Sequence, residues 1–167
     1  MNPKTGDILA MATNPEYDPN ESDEPSDPKE KKAFELMTDQ EKTDYLSSMW
    51  KINAVSDVYE PGSTFKLVQA LIGMQEGVVT PASRFPCYAG FPYGSGHKLG
   101  CHSHGSPLDM PSAIQTSCNA WFCYDFKAMM ENRKNYKTTK EAYDAWRKKV
   151  CSFGFGERFD SDLSYEK

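Results

Sequence analysis

Gly62-Ser63-Thr64-Phe65-Lys66-Leu67-Val68-Gln69-Ala70-Leu71-Ile72-Gly73-Met74-Gln75, entered through Glu60-Pro61, is the stretch on which the reading of this chain turns. Its apolar residues fall on nearly every face of a helix, the pattern of a buried central helix, and Gly77 marks its stop. Ser63 falls in the first turn and Lys66 three residues on, so hydroxyl and amine share one face. A serine attacks a carbonyl only if something takes its proton, and a lysine can do so where desolvation lowers its pKa. Phe65, Leu67 and Val68 supply apolar surroundings. The helix N-terminus adds positive potential where an alkoxide would form, and the first-turn amide of Ser63 is available as an oxyanion donor. Alone, Ser-x-x-Lys is a weak signal that reads more readily as an N-cap serine beside a surface lysine. Two features weigh against that: an all-round apolar helix has little place for a solvated lysine, and Ser117-Cys118-Asn119 stands at a junction between helical stretches. The second hydroxyl could relay a proton between Lys66 and a leaving amine, and the carboxamide could hold a substrate carbonyl, although both residues also serve as ordinary caps.

The flanking chain reads as helices separated by structured loops. Ile8 to Ala12 is an apolar run after the Pro3-Lys4-Thr5-Gly6 bend and reads as a strand, with only Met1 and Asn2 before the bend, so a truncated N-terminus is expected. Residues 17–35 form an acidic, proline-bearing stretch expected to be a solvated loop. Thr38 with Glu41, and Thr138 with Glu141, have capping-box spacing and open helices running to Trp50 and to Val150. Helical signals also run from Pro111 to Met130, while residues 80–110, rich in glycine, proline, cysteine and histidine, read as a long functional loop.

Composition narrows the function classes. With 167 residues, 38% hydrophobic, the chain can build one ordinary core. Its 19 Lys plus Arg against 24 Asp plus Glu give a net charge of -5 without a basic stripe, which argues against nucleic acid as a partner. No run reaches the about 20 apolar residues that cross a bilayer. Five cysteines, an odd number, do not make a disulfide scaffold.

The run Val58-Tyr59-Glu60-Pro61-Gly62-Ser63-Thr64-Phe65-Lys66 resembles the nucleophile segment of class B penicillin-binding proteins, and Ser112 to Phe122 resembles their second motif. Pro3 to Met11, Asn14 to Asn20 and Phe153-Gly154-Phe155-Gly156 add to the likeness, which runs in order along most of the chain and is closest to the penicillin-binding protein 2 group. The resemblance implies an α+β fold, here a piece of the serine β-lactamase/transpeptidase-like fold consisting mainly of its helical subdomain plus an early strand. It also implies a D,D-transpeptidase that crosslinks peptidoglycan stem peptides through a serine acyl-enzyme, is acylated by β-lactams and needs no cofactor. Carried over by motif, Ser63 is the nucleophile, Lys66 its general base, Ser117 the proton relay and Asn119 a substrate-binding amide. Elongation machinery such as a membrane glycosyltransferase is the implied partner, and the extracytoplasmic (periplasmic) face of the membrane the implied place. Lys4-Thr5-Gly6 spells the family's third motif at the wrong end of the chain and takes no substrate role. Past Phe155 to Leu163 the family would continue into the rest of its sheet, so an interior piece, inactive by itself, is expected.

Cys87, His97, Cys101, His102, His104 and Cys118 could supply soft ligands to a tetrahedral zinc, with Cys87, Cys101 and His104 the chosen set; some relatives of the penicillin-binding protein 2 group carry zinc between the two motifs. A Cys87–Cys101 disulfide and plain loop packing stay open beside it. Cys118, Cys123 and Cys151 read as buried packing. Rival functions are a serine β-lactamase, for which no water-activating segment is found, and a β-lactam-sensing or structural cell-wall-binding domain without turnover.

Overall fold

The computed structural model describes residues 1–14 and 16–156; Pro15 of the Asn14–Asn20 stretch and residues 157–163 of the stretch after Phe155 lie outside it. Among the described residues, Met1–Tyr59 form one compact unit and residues 60–156 a second.

In the first unit, Ile8 to Ala12 is not a strand. The bend at Lys4-Thr5-Gly6 closes on Asn2, through Gly6 N to Asn2 O at 2.9 Å and Asn2 N to Asp7 O at 2.8 Å. Beyond it no strand pairs with the run among the described residues, and Ile8 and Leu9 stand exposed. The stretch expected as a solvated loop over 17–35 ends instead in α1 (Pro28–Glu35). Its charges do face water, but Asp27 caps the Lys29 and Glu30 amides and Pro28 at the first position has no amide to lose, so a proline that looks like a breaker starts the helix. α2 (Asp39–Met49) begins at Thr38 with the expected reciprocal box to Glu41, and α3 (Asn53–Ser56) follows.

The second unit opens with a 3-10 turn, Gly62–Thr64, leading directly into α4 (Phe65–Gln75). Gly77, at φ +67°, ends α4 as expected: its amide reaches Met74 O at 3.1 Å and the Val78 amide reaches Gly73 O at 3.1 Å. α4 is not buried on every face. Ala70 and Ile72 enter the core, whereas Leu67 and Leu71 are 53% and 45% exposed. Within the 80–110 loop lies an antiparallel hairpin, β1 (Gly90–Tyr93) and β2 (His97–Gly100), with Phe91 opposite Leu99. Apart from a Phe85–Leu108 bridge it is the only β-structure among the described residues, so the fold is α+β with a small sheet. α5 (Met110–Gln115), α6 (Asn119–Met130) and α7 (Thr139–Cys151) complete the unit. Thr138 caps α7 as expected, but the Glu141 carboxylate accepts from the Lys137 amide, so the second box is one-sided. No helix among the described residues is long and apolar enough to cross a membrane.

The core centres on Trp121 of α6, fully buried, its indole N–H on Ser83 O at 3.2 Å and its ring edge-on to Phe85. Helices α4 and α6 meet most closely at Gly73, where a Cβ would lie 2.1 Å from Asp125 Oδ1 and 2.8 Å from Val79 Cγ2. Only hydrogen at that position lets the Asp125 carboxyl in. Asp125 is fully buried, and its one hydrogen bond comes from Gln69 Nε2 at 3.1 Å. Burial raises its pKa from 3.8 to about 7, against the smaller opposing effect of the Gln69 bond. A carboxyl with a raised pKa keeps its proton in the folded protein after the unfolded chain has lost it. The contribution of Asp125 to stability is therefore full below about pH 4 and falls as pH rises to about 7, by on the order of 4 kcal/mol. Asp125→Asn is expected to flatten this slope in urea titrations from pH 4 to 8; an unchanged slope would place the proton uptake elsewhere.

Candidate active site

The site is built where α4 begins and α5 gives way to α6. Ser63 sits exposed in the 3-10 turn, with the Thr64 hydroxyl bonded back to Pro61 O at 2.6 Å. Lys66, one turn on and half-buried, reaches across to the other junction. Its Nζ donates to Ser117 O at 2.7 Å, Ser117 Oγ at 2.8 Å and Ser63 Oγ at 3.2 Å. Ser117 Oγ in turn donates to Ser63 Oγ at 3.0 Å. Burial pushes the Lys66 pKa below the usual lysine range, while Cys101, Cys118 and Cys123 pull it the other way. Two hydroxyls and an amine of lowered pKa thus form a closed triangle in which a proton can leave one serine and be passed to the other.

Ser117 occupies that corner in a left-handed backbone, φ +51°. It ends α5 as glycine usually does: Ser117 N bonds Ile114 O at 3.1 Å and Cys118 N bonds Ala113 O at 2.9 Å. An L-residue there costs about 1 kcal/mol relative to glycine, and strain of this kind gathers at functional sites. Asn119 begins α6. One N–H of its carboxamide is used by Gly100 O at 2.8 Å, leaving the second N–H and the oxygen to face a ligand. Lys66, Gln69 and Asn119 line one apolar cavity of about 650 Å³ with Phe91, Phe122 and Trp146.

Directly behind Ser117 lie the cysteines. The ligand atoms of Cys87, Cys101, His104 and Cys118 are within 4.8 Å of one another. All five cysteines are free thiols, so the Cys87–Cys101 bridge left open by the sequence is not formed. Cys118, read as packing, joins the cluster, while His97 and His102 do not. Cys118 Sγ accepts from Trp121 N and Cys101 Sγ from Ala120 N, so the cluster also caps α6. Burial pushes Cys118 up to about 12; for Cys101 the Ala120 amide and the groups of Cys87, His104 and Cys118 outweigh burial and hold the thiol below its usual value. The donor set fits a metal. His104 Nδ1 is engaged with Gly105 O at 2.7 Å, while Nε2 is buried with no hydrogen-bond partner, as a ligating nitrogen would be. Sequence reasoning set Cys118 aside because it lies inside the second motif; its place at a helix N-cap, three residues before a buried tryptophan, was the available signal.

The chain matches, over residues 1–167, the family described as penicillin binding protein transpeptidase domain. It is 29% identical to peptidoglycan D,D-transpeptidase MrdA of Acinetobacter baumannii, over 99% of this chain and 22% of that protein. It is also 29% identical to peptidoglycan D,D-transpeptidase PbpA of Mycolicibacterium smegmatis (73% and 25%) and 30% identical to peptidoglycan D,D-transpeptidase FtsI of Escherichia coli K12 (69% and 16%). The chain thus spans a quarter or less of these relatives' lengths.

The backbone at position 117 can be tested apart from its hydroxyl. Ser117→Ala and Ser117→Gly both remove the hydroxyl, and the glycine variant is expected to be the more stable by about 1 kcal/mol in chemical denaturation. Equal stabilities would refute the left-handed assignment.

Proposed function

The chain belongs to the penicillin-binding protein transpeptidase family, and from that premise we propose that Ser63 is the nucleophile of a D,D-transpeptidase acting on peptidoglycan stem peptides. The observation that carries this reading is the Lys66–Ser117–Ser63 triangle, which joins residues 54 apart in the chain by direct hydrogen bonds. In this reading neutral Lys66 takes the Ser63 proton as Oγ adds to the penultimate D-alanine carbonyl. The Ser63 amide is one donor to the oxyanion. As the tetrahedral adduct collapses, the C–N bond breaks and the proton passes from Lys66 through Ser117 to the departing D-alanine amine. An amine of a neighbouring stem peptide then adds to the acyl-enzyme and releases Ser63 by the reverse proton path. A β-lactam enters at the same step, its amide nitrogen staying tethered after ring opening. Asn119, on the rim of the cavity, would hold the substrate backbone. The lowered pKa of Lys66 supports the base role, since a larger fraction is neutral near pH 7.

Cys87, Cys101, His104 and Cys118 would hold a zinc ion, which when bound would supply a structural crosslink and no reaction chemistry. The proposal extends to the whole protein: action at the extracytoplasmic face of the membrane, beside elongation machinery such as a membrane glycosyltransferase. Lys4-Thr5-Gly6 is a turn rather than a strand, and little or no turnover is expected from these 167 residues alone.

Intact-mass measurement of the full-length gene product after penicillin exposure is expected to show one adduct, mapped to Ser63 and absent from Ser63→Ala. A β-lactamase would instead shed the adduct rapidly while consuming the penicillin, and a sensor would keep it without crosslinking stem peptides; the absence of both an adduct at Ser63 and consumption of the penicillin would sink all three readings. Elemental analysis is expected to find one zinc per chain, lost in Cys118→Ser together with protection of the other thiols. Absence of stoichiometric metal in freshly purified protein would rule the ion out.

A further inference from the structure

Gln69 is a buried carboxamide held from two sides at once. It is 5% exposed, its Nε2 donates to Asp125 Oδ2 of α6 at 3.1 Å, and its Oε1 accepts the Trp146 indole N–H of α7 at 2.8 Å. A polar chain through three helices is costly to bury, and apolar side chains of similar size would pack the same space without that cost. Hydrogen bonds add direction, which dispersion contacts lack. The rest of the buried face of α4 is small or aliphatic, Ala70, Ile72 and Gly73, and Leu67 and Leu71 lie exposed. Phe65 and Phe126 meet the Trp146 ring edge-on, at 6.3 and 5.2 Å between centroids, and hold the indole to its place.

Resting on the function proposed above, we infer that Gln69 is a positioning residue: clamped between Asp125 and Trp146, it sets the rotation and depth of α4 and thereby the reach of Lys66 to Ser63 and Ser117. Lys66 and Gln69 are three residues apart on one side of α4 and line the same cavity, so a turn or slide of the helix at Gln69 moves Lys66 with it. The bonds at stake are short and directional, 2.7, 2.8 and 3.2 Å, and a displacement of about 1 Å is enough to slow a step that depends on them about a hundredfold. Gly73, one turn further along α4, completes the device by admitting the Asp125 carboxyl against the helix backbone.

The test is the rate of acylation by a fluorescent penicillin in the full-length gene product, read separately from the final number of labels per chain. Gln69→Leu and Asp125→Leu are expected to acylate at least tenfold more slowly yet still reach one label per chain. Asp125→Asn keeps both the shape and an acceptor for Gln69 and is expected within threefold of the parent rate. Trp146→Phe, which removes the N–H together with the five-membered ring but keeps an aromatic ring for Phe65 and Phe126 to meet, is expected to slow acylation about threefold and decides the matter should the leucine variants fail to fold. Parent-like rates per labelled molecule in Gln69→Leu and Asp125→Leu, with only melting temperature or labelled fraction lowered, would overturn the inference. So would Asp125→Asn as slow as Asp125→Leu, or, where the leucine variants do not fold, a parent-like rate in Trp146→Phe. A parent protein that takes no label, or a Ser63→Ala variant that still does, would sink the function reading itself; a labelled parent with unaffected variants sinks the positioning role alone.

Discussion

The second unit is organised around one amine brought under two hydroxyls. Lys66 can reach Ser63 from its own helix turn, but Ser117 must be delivered from another part of the chain, and the close crossing of α4 with α6 at Gly73 is what makes that delivery possible. The lysine is only half-buried, yet burial dominates its ionisation and lowers its pKa, which favours the base role proposed for it. An ammonium that stayed fully solvated would hold its proton too tightly for this role.

The corner that presents Ser117 is expensive and braced accordingly. Its left-handed backbone would relax toward an ordinary helix end if nothing held it. On one side Lys66 binds both its carbonyl and its hydroxyl. On the other, Cys118 and Cys101 cap the first turn of α6, and Asn119 ties that turn to the hairpin at Gly100. The four-residue thiol and imidazole cluster therefore sits where a crosslink would stiffen the second motif most directly. Its His104 Nε2 is buried without a hydrogen-bond partner among the described residues.

Much of the site was legible in the residues. Ser63 and Lys66 were placed together by helical spacing, and Thr38, Thr138 and Gly77 marked helix ends by chemistry that acts within one turn. The misreadings share a cause. Ile8 to Ala12 has a strand's composition, but a strand is a property of a pair, and its partner is not written in its own residues. Pro28 looked like an interruption because composition is blind to position, whereas at the first residue of a helix proline is welcome. The hairpin inside the 80–110 loop was hidden for the same reason as the missing strand: its alternation is short, and Gly90 and Gly100 pair at one end of the register.

By itself the sequence determined the starts of α2 and α7, the end of α4 and which hydroxyl meets which amine within a turn, because those contacts span three or four residues and follow from backbone geometry. Only the tertiary structure decided that Ser117 closes the triangle and that Cys118 lies within 4.8 Å of the ligand atoms of Cys87, Cys101 and His104. It also decided that Gln69, which the pattern leaves as one polar residue on an apolar helix, stands at the junction of three helices. Each depends on how segments tens of residues apart are packed, and the energy that packs them comes from burying surface, which the order of residues states only in aggregate.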